Sequence, residues 1–209
     1  MQLIEHCKTH RLYQKGQILF SEGEAQIGVY CVQSGCIKIY KSRGNRRHIL
    51  YLVDGGDILG APSLFCDQIH GETAEVVQEA EVCFFHKEGF LSAVRQDPTL
   101  AGKLLARLSR NFFQLEEREI SAVCESARVR LATFLLTLKK SFGICKPGGG
   151  HELGVLLTRK EMCEAVGMRL ETLVRLMKEF ERDHLIEMKG KAVSILNEDQ
   201  LLSLTLEGY

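Results

Sequence analysis

Two side chains in the C-terminal third have the types and spacing of a base-reading pair. Glu171 and Arg175 stand four residues apart, so on a helix they project from one face about one turn from each other. A carboxylate placed there accepts a hydrogen bond from cytosine N4, and a guanidinium bonds guanine O6 and N7 through two parallel donors. The same spacing also makes an ordinary surface ion pair, worth about a few tenths of a kcal/mol. The surrounding elements have to decide between these readings. Enzyme-type chemistry has less to stand on, since the chain carries no nucleophile–base pattern, no phosphate-binding GxxxxGK loop and no HExxH.

Those surroundings read as a helix-turn-helix. Thr158 is a good N-cap with Glu161 three residues on, a capping box that opens a helix of about eight residues ending at Gly167. A second helix is expected over 169–184, and Gly190 starts a closing hairpin into 192–195. Helix, glycine-bearing turn, helix and small β wing is the winged helix-turn-helix order. Ala165 and Gly167 are small where two helices approach. Leu170, Leu173, Leu176 and Phe180 are expected on the core, leaving Arg169, Glu171, Thr172, Arg175, Lys178 and Arg182 on the other side. In that setting the base-reading pair prevails over the ion pair. Upstream, 127–142 reads as an amphipathic helix, 146–150 (Lys-Pro-Gly-Gly-Gly) as a break, and 153–157 as a strand.

Residues 99–125 have no proline and carry apolar residues at Ala101, Leu105, Leu108, Phe112, Leu115 and Ala122. The spacings alternate four and three until Glu119 interrupts them, which is the seam of a long helix that packs on a partner helix. One such seam in one chain points to a homodimer. The first ninety-odd residues read as short strands at 18–20, 29–32, 36–40, 48–53 and 80–85, separated by turn signals that include Ser34-Gly35 and Asp54-Gly55-Gly56-Asp57. Regular short strands indicate a closed or double-layered β domain. The expected division is 1–97 for a sensor β domain, 98–125 for the dimerisation helix and 126–209 for the winged helix-turn-helix. The fold class is α+β.

Bulk properties place limits on function. With 27 Lys+Arg against 27 Asp+Glu, charge gives no support to nucleic-acid binding; only the placement of basic groups can. No apolar run reaches the roughly 20 residues of a membrane span, and the N-terminus does not read as a secretory signal, so a cytoplasmic protein with no membrane partner is expected. The eight cysteines are Cys7, Cys31, Cys36, Cys66, Cys83, Cys124, Cys145 and Cys163, with no CxxC pair. They are expected to be buried small hydrophobes or free thiols rather than a disulfide frame.

The stretch 157–181, LTRKEMCEAVGMRLETLVRLMKEFE, resembles the DNA-binding signature of the CRP/FNR family of transcription regulators. Upstream, QKGQILF at 14–20, Ser34-Gly35 and GDILG at 56–60 resemble that family's β-roll, the double-stranded β-helix that binds cyclic nucleotides. The resemblance implies a dimeric regulator of double-stranded DNA that also meets RNA polymerase. It implies that Glu171 and Arg175 read inner bases and that Thr158 and Arg159 touch phosphate, with Arg169, Thr172, Val174 and Lys178 completing the face. Glu171-Thr172 followed by Arg175 looks closest to the FNR branch, whose palindromic half-sites carry a TGA-like core. That branch has a serine where Val174 stands, which opens the outer base; Val174 could touch a thymine methyl.

The resemblance also locates the effector segment, Gly60, Ala61, Pro62, Ser63 and Leu64 with Glu72 and Thr73. A cyclic nucleotide needs a glutamate for its ribose and an arginine for its phosphate. Ala61 replaces the first and Glu72 the second, so ordinary cAMP binding is not expected, and the cofactor stays unknown. An iron–sulfur cluster calls for four thiolates; Cys83 stands at a cluster position of the FNR branch, but only Cys7 precedes the β-roll. Cys83 is expected to be a core residue, and His70 beside Cys66 is the pair to test for haem. The competing function is a ligand or redox sensor that acts through protein contacts without tight DNA binding.

Overall fold

The β-branched runs of the N-terminal third pair into one antiparallel sheet. In chain order its strands are β1 (Thr9–Tyr13), β2 (Ile18–Phe20), β3 (Gly28–Arg43), β4 (Arg46–Val53), β5 (Ile58–Leu59) and β6 (Thr73–His86), with the short helix α1 (Ala61–Phe65) between the last two. Helices α2 (Lys87–Gln96) and α3 (Pro98–Cys124) follow. This is a computed structural model, and it describes residues 9–66, 69–145 and 151–206. The chain divides into two units, Met1–Glu116 and Glu117–Tyr209, the boundary falling within α3.

The sheet runs β1-β6-β3-β4, with β2 also on β6 and β5 also on β3. Its apolar side is closed on itself around Phe20, Val32, Ile37, Ile39, Val53, Leu59, Ala74, Val76 and Val82, which alternate along their strands as a half-buried sheet requires. Ser34-Gly35 does not separate two strands. β3 runs straight through it, and the register against β6 shifts on either side. Gly35 sits at φ 93°, and a Cβ there would come 2.2 Å from the Glu79 carbonyl oxygen. The glycine is therefore a bulge where two backbones close up, and the strand signal on both sides of it belongs to one element.

α3 packs one stripe on this unit. Leu104 is buried with Val29, Ala61, Leu64, Cys83, Phe85 and Phe90, and Leu108 packs partly buried against the same cluster. Arg107 adds an ion pair to Asp57.

The second unit contains α4 (Ala127–Phe142), β7 (Gly143–Cys145), β8 (His151–Leu153), α5 (Arg159–Val166), α6 (Leu170–Arg182), β9 (Ile186–Lys189), β10 (Ala192–Ile195) and α7 (Glu198–Leu206). Its four-stranded antiparallel sheet has the order β7-β8-β10-β9. The strand expected over 153–157 lies earlier: β8 ends at Leu153, and beyond it Leu153, Val155 and Leu157 are buried one after another while Leu156 is 46% exposed. Alternate burial without strand pairing produced the same apolar signal. The 146–150 break lies outside the described residues. Helix α7, not expected above although Asn197 with Gln200 three residues on has the capping pattern, starts with the Gln200 N–H donating to Asn197 Oδ1 at 3.0 Å and buries Leu201.

Candidate nucleic-acid interface

The interface begins with a capping box. The Thr158 hydroxyl accepts from the Glu161 backbone N–H at 3.2 Å and donates to Glu161 Oε2 at 2.8 Å, while the Thr158 backbone N–H donates to that same oxygen at 2.8 Å. This starts α5 at Arg159 and satisfies donors that a helix end leaves open. The helix stops at Gly167, in the left-handed region at φ 70°, where the Gly167 and Met168 N–H groups both return to the Cys163 carbonyl. The next helix, α6, begins two residues after that turn. At its far end His184 takes φ 55°, and its own N–H and that of Leu185 close back on the Glu181 and Phe180 carbonyls. That motif usually holds glycine.

α6 buries Leu173, Leu176, Met177 and Phe180. Leu170, expected on the core, is 50% exposed; Met177 takes that place, because the buried stripe begins one turn later. The opposite face presents Arg169, Glu171, Arg175, Lys178 and Arg182, all exposed, with Val174 at 37% and Thr172 half-buried. Glu171 and Arg175 do not pair with each other. Arg175 Nη1 lies 3.6 Å from Glu179 Oε2, and Glu179 also receives Arg128 from α4. Arg128 reaches Asp183 as well, at 3.7 Å, and its guanidinium covers the Phe180 ring. Arg130, two residues further along α4, donates to the Glu125 and Val166 carbonyls. These two arginines fix α5 and α6 on α4, and nothing local in the sequence signals them.

Arg159 is half-buried between α5 and the wing, with Nη2 3.0 Å from the sulfur of Met188 on β9. The wing itself is the β9–β10 pair, closed at Gly190 with φ 64°.

On α3 the expected stripe splits. Leu105 is 67% and Phe112 59% exposed, Leu115 is 40% exposed, and Leu108 turns toward the β sheet. Phe113, Ile120 and Val123 are exposed too and widen the apolar face; the seven-residue step from Phe113 to Ile120 was legible in the sequence.

In the effector segment, Gly60 caps α1 in the left-handed region at φ 80°, its carbonyl accepting from Gln26 Nε2 at 2.6 Å. Ala61 and Leu64 are buried, Ser63 is half-buried and Pro62 exposed. Glu72 is half-buried and accepts from the Tyr51 hydroxyl at 3.1 Å; burial pushes its carboxyl above the usual range. The Thr73 hydroxyl accepts from the Glu22 N–H at 3.0 Å. His70 is 2% exposed, stacked on Phe20 with centroids 3.9 Å apart, and its Nδ1 has no hydrogen-bond partner among the described residues. Burial pulls its pKa down. Cys66 is exposed and Cys83 buried among apolar side chains. Among the described residues no group of three or more His, Cys, Asp or Glu forms a metal cage.

A β-roll followed by a long helix and a winged helix-turn-helix with an exposed polar face defines the architecture of a DNA-binding regulator. The comparisons agree over most of the chain. Residues 10–97 match the cyclic nucleotide-binding domain, and residues 129–204 match the Crp-like helix-turn-helix domain. The chain is 28% identical over 205 residues to the fumarate and nitrate reduction regulatory protein of Vibrio cholerae, covering 97% of this chain and 80% of that one. It is 27% identical over 203 residues to the transcriptional activator protein Anr of Pseudomonas protegens, covering 97% and 82%. The structure of FixK2 from Bradyrhizobium japonicum shares the fold, with a TM-score of 0.82 at 24% identity over 94% of this chain and 96% of that one. The chain belongs to the CRP/FNR family, and it is a DNA-binding transcription regulator rather than an enzyme.

Proposed function

We propose that two copies join along the exposed α3 face and set one α6 into the major groove at each half of a palindrome with a TGA-like core. The observation that carries this is the α6 face, where Glu171 and Arg175 are both exposed and Glu171 has no ion-pair partner among the described residues. An unpaired carboxylate at the first turn is supported by the helix dipole and keeps its oxygens open to cytosine N4. Thr158 and Arg159 serve as phosphate contacts, Thr158 through the open N–H groups after it, since its hydroxyl proton is committed to Glu161. Two-fold symmetry would set half-site centres roughly 10–10.5 base pairs apart. RNA polymerase in the cytoplasm is the partner downstream.

The β-roll is proposed to take a signal other than cAMP in its ordinary mode. Ala61 offers no group to a ribose, and the Glu72 carboxylate would repel a buried phosphate. A gel-shift series across TGA-core palindromes and scrambled controls tests the DNA reading. Preference for the palindromes supports it; equal, weak binding to all would favour a sensor acting through protein contacts.

A further inference from the structure

Seven cysteines lie among the described residues, none of them in a disulfide, and three of them are exposed: Cys66, Cys124 and Cys145. Cys36 and Cys83 are buried. Burial, with Glu164 and Glu171 nearby, pushes the Cys163 thiol up and away from its thiolate. Among the exposed three, Cys145 has a base in reach: its Sγ lies 3.6 Å from His151 Nδ1. The sheet builds this contact. Cys145 and His151 are direct cross-strand partners in the β7–β8 ladder, and His151 is paired on its other side with Ile195 of β10. The imidazole therefore stands on a strand held from both sides, while the thiol stands on the edge strand β7, open to solvent. Cys66 and Cys124 have no base in contact among the described residues.

We propose that Cys145 and His151 form a base-assisted thiol, a modification site for soft oxidants of the hydroperoxide class and for small electrophiles. With the imidazole proton on Nε2, Nδ1 takes the S–H proton, and the sulfur becomes the nucleophile. Against hydrogen peroxide the sulfur attacks one oxygen, an S–O bond forms and the O–O bond breaks. The departing hydroxide takes the proton from His151 and leaves as water. Sulfur is oxidised to the sulfenic acid and the peroxide is reduced, so one thiol and one peroxide give one sulfenic acid and one water. The site belongs to the unit that carries α5 and α6, yet the chemistry asks nothing of DNA binding.

The test is a labelling race on the full-length, reduced protein at pH 7. One sample receives a pulse of iodoacetamide; a second receives hydrogen peroxide followed by dimedone, and peptide mass spectrometry reads each cysteine. With His151 Nδ1 in reach to take the S–H proton as the sulfur attacks, Cys145 is expected to react about tenfold faster than Cys66 and Cys124. His151→Gln should bring Cys145 down to their rate while theirs stay put. Equal rates in the wild type, or an undiminished Cys145 rate in His151→Gln, overturn the proposal. Should the variant open the fold, seen as labelling of buried Cys36, the wild-type ratio of Cys145 to Cys124 decides alone.

Discussion

The Arg175 guanidinium lies 3.6 Å from Glu179, one turn further along α6, and turns away from Glu171 one turn back. Glu179 is also held by Arg128, so it anchors two cations, and Arg175 is a side chain on a pivot that a base edge can recruit. Its pair with Glu179 is exposed on the arginine side and worth little. Arg175→Ala is therefore expected to cost about 1–3 kcal/mol per half-site on the matched sequence and to flatten discrimination at one G·C pair. Arg159→Ala should weaken all sequences alike and make the salt dependence shallower by about one unit of slope per half-site. Binding isotherms on matched and mismatched sites at several salt concentrations check both. Equal losses everywhere would make Arg175 a phosphate contact.

Phe112→Glu is expected to yield monomers. Phe112 is 59% exposed, lies outside the buried core clusters of the β unit, and has its ring beside that of Phe113. Leu108→Glu is a poorer probe, since Leu108 packs beside Leu104 and its loss would damage the β unit as well. Sedimentation at micromolar concentration, with far-ultraviolet circular dichroism as the fold control, separates the two effects. A Phe112→Glu protein that sediments like the wild type sinks the α3 interface.

Glu72→Gln is expected to stabilise the protein at neutral pH. Burial raises the Glu72 carboxyl above its ordinary 4.5, so ionisation costs more in the folded chain than in the unfolded one. The relative advantage of the protonated form is complete below the unfolded value and lost as pH rises through the folded value. Glutamine keeps an acceptor for the Tyr51 hydroxyl without the charge. The Tm difference between variant and wild type should be positive near pH 7 and shrink toward zero below about 4.5. A constant difference at every pH would rule this account out.

For His70 the sign reverses. Its folded pKa is depressed below 6.5 by burial, with Glu24 pulling the other way, so stability is full above the unfolded value and falls as pH drops through it. His70→Phe retains a ring to stack on Phe20 and removes an unpaired Nδ1. Between pH 7 and 5 the wild type should lose Tm faster than the variant; parallel curves would refute the assignment.

Thr158→Ala removes the acceptor for the Glu161 N–H and leaves buried Glu161 without its hydroxyl donor. A cost of about 1 kcal/mol in urea unfolding is expected. Thr158→Ser, which keeps the hydroxyl, should recover most of it. Failure of serine to do better than alanine would mean that the box contributes little.

Much of this chain was readable as letters. Capping, turn and periodic signals act within a few residues of one another, so Thr158, Glu161 and Gly167 placed α5, and α4 runs over Ala127–Phe142 as its apolar spacing suggested. The exposed face of α6 followed from the same periodicity. Other features rest on residues far apart in the chain, and there local reading was silent or misled. Gly35 looked like a turn because glycine marks turns and bulges alike; only the Glu79 backbone across the ladder makes it a bulge. Leu108 and Leu105 share a heptad stripe, yet Leu104 and Asp57 rotate α3 so that one faces the sheet and the other solvent. Arg175 sits equally well, by spacing, beside Glu171 or Glu179, and the choice follows packing that brings Arg128 to Glu179. Cys145 and His151 became a pair only when β7 and β8 aligned in register. Short-range chemistry is written in sequence neighbours, whereas the partner of a side chain is chosen by whichever distant element the core brings against it.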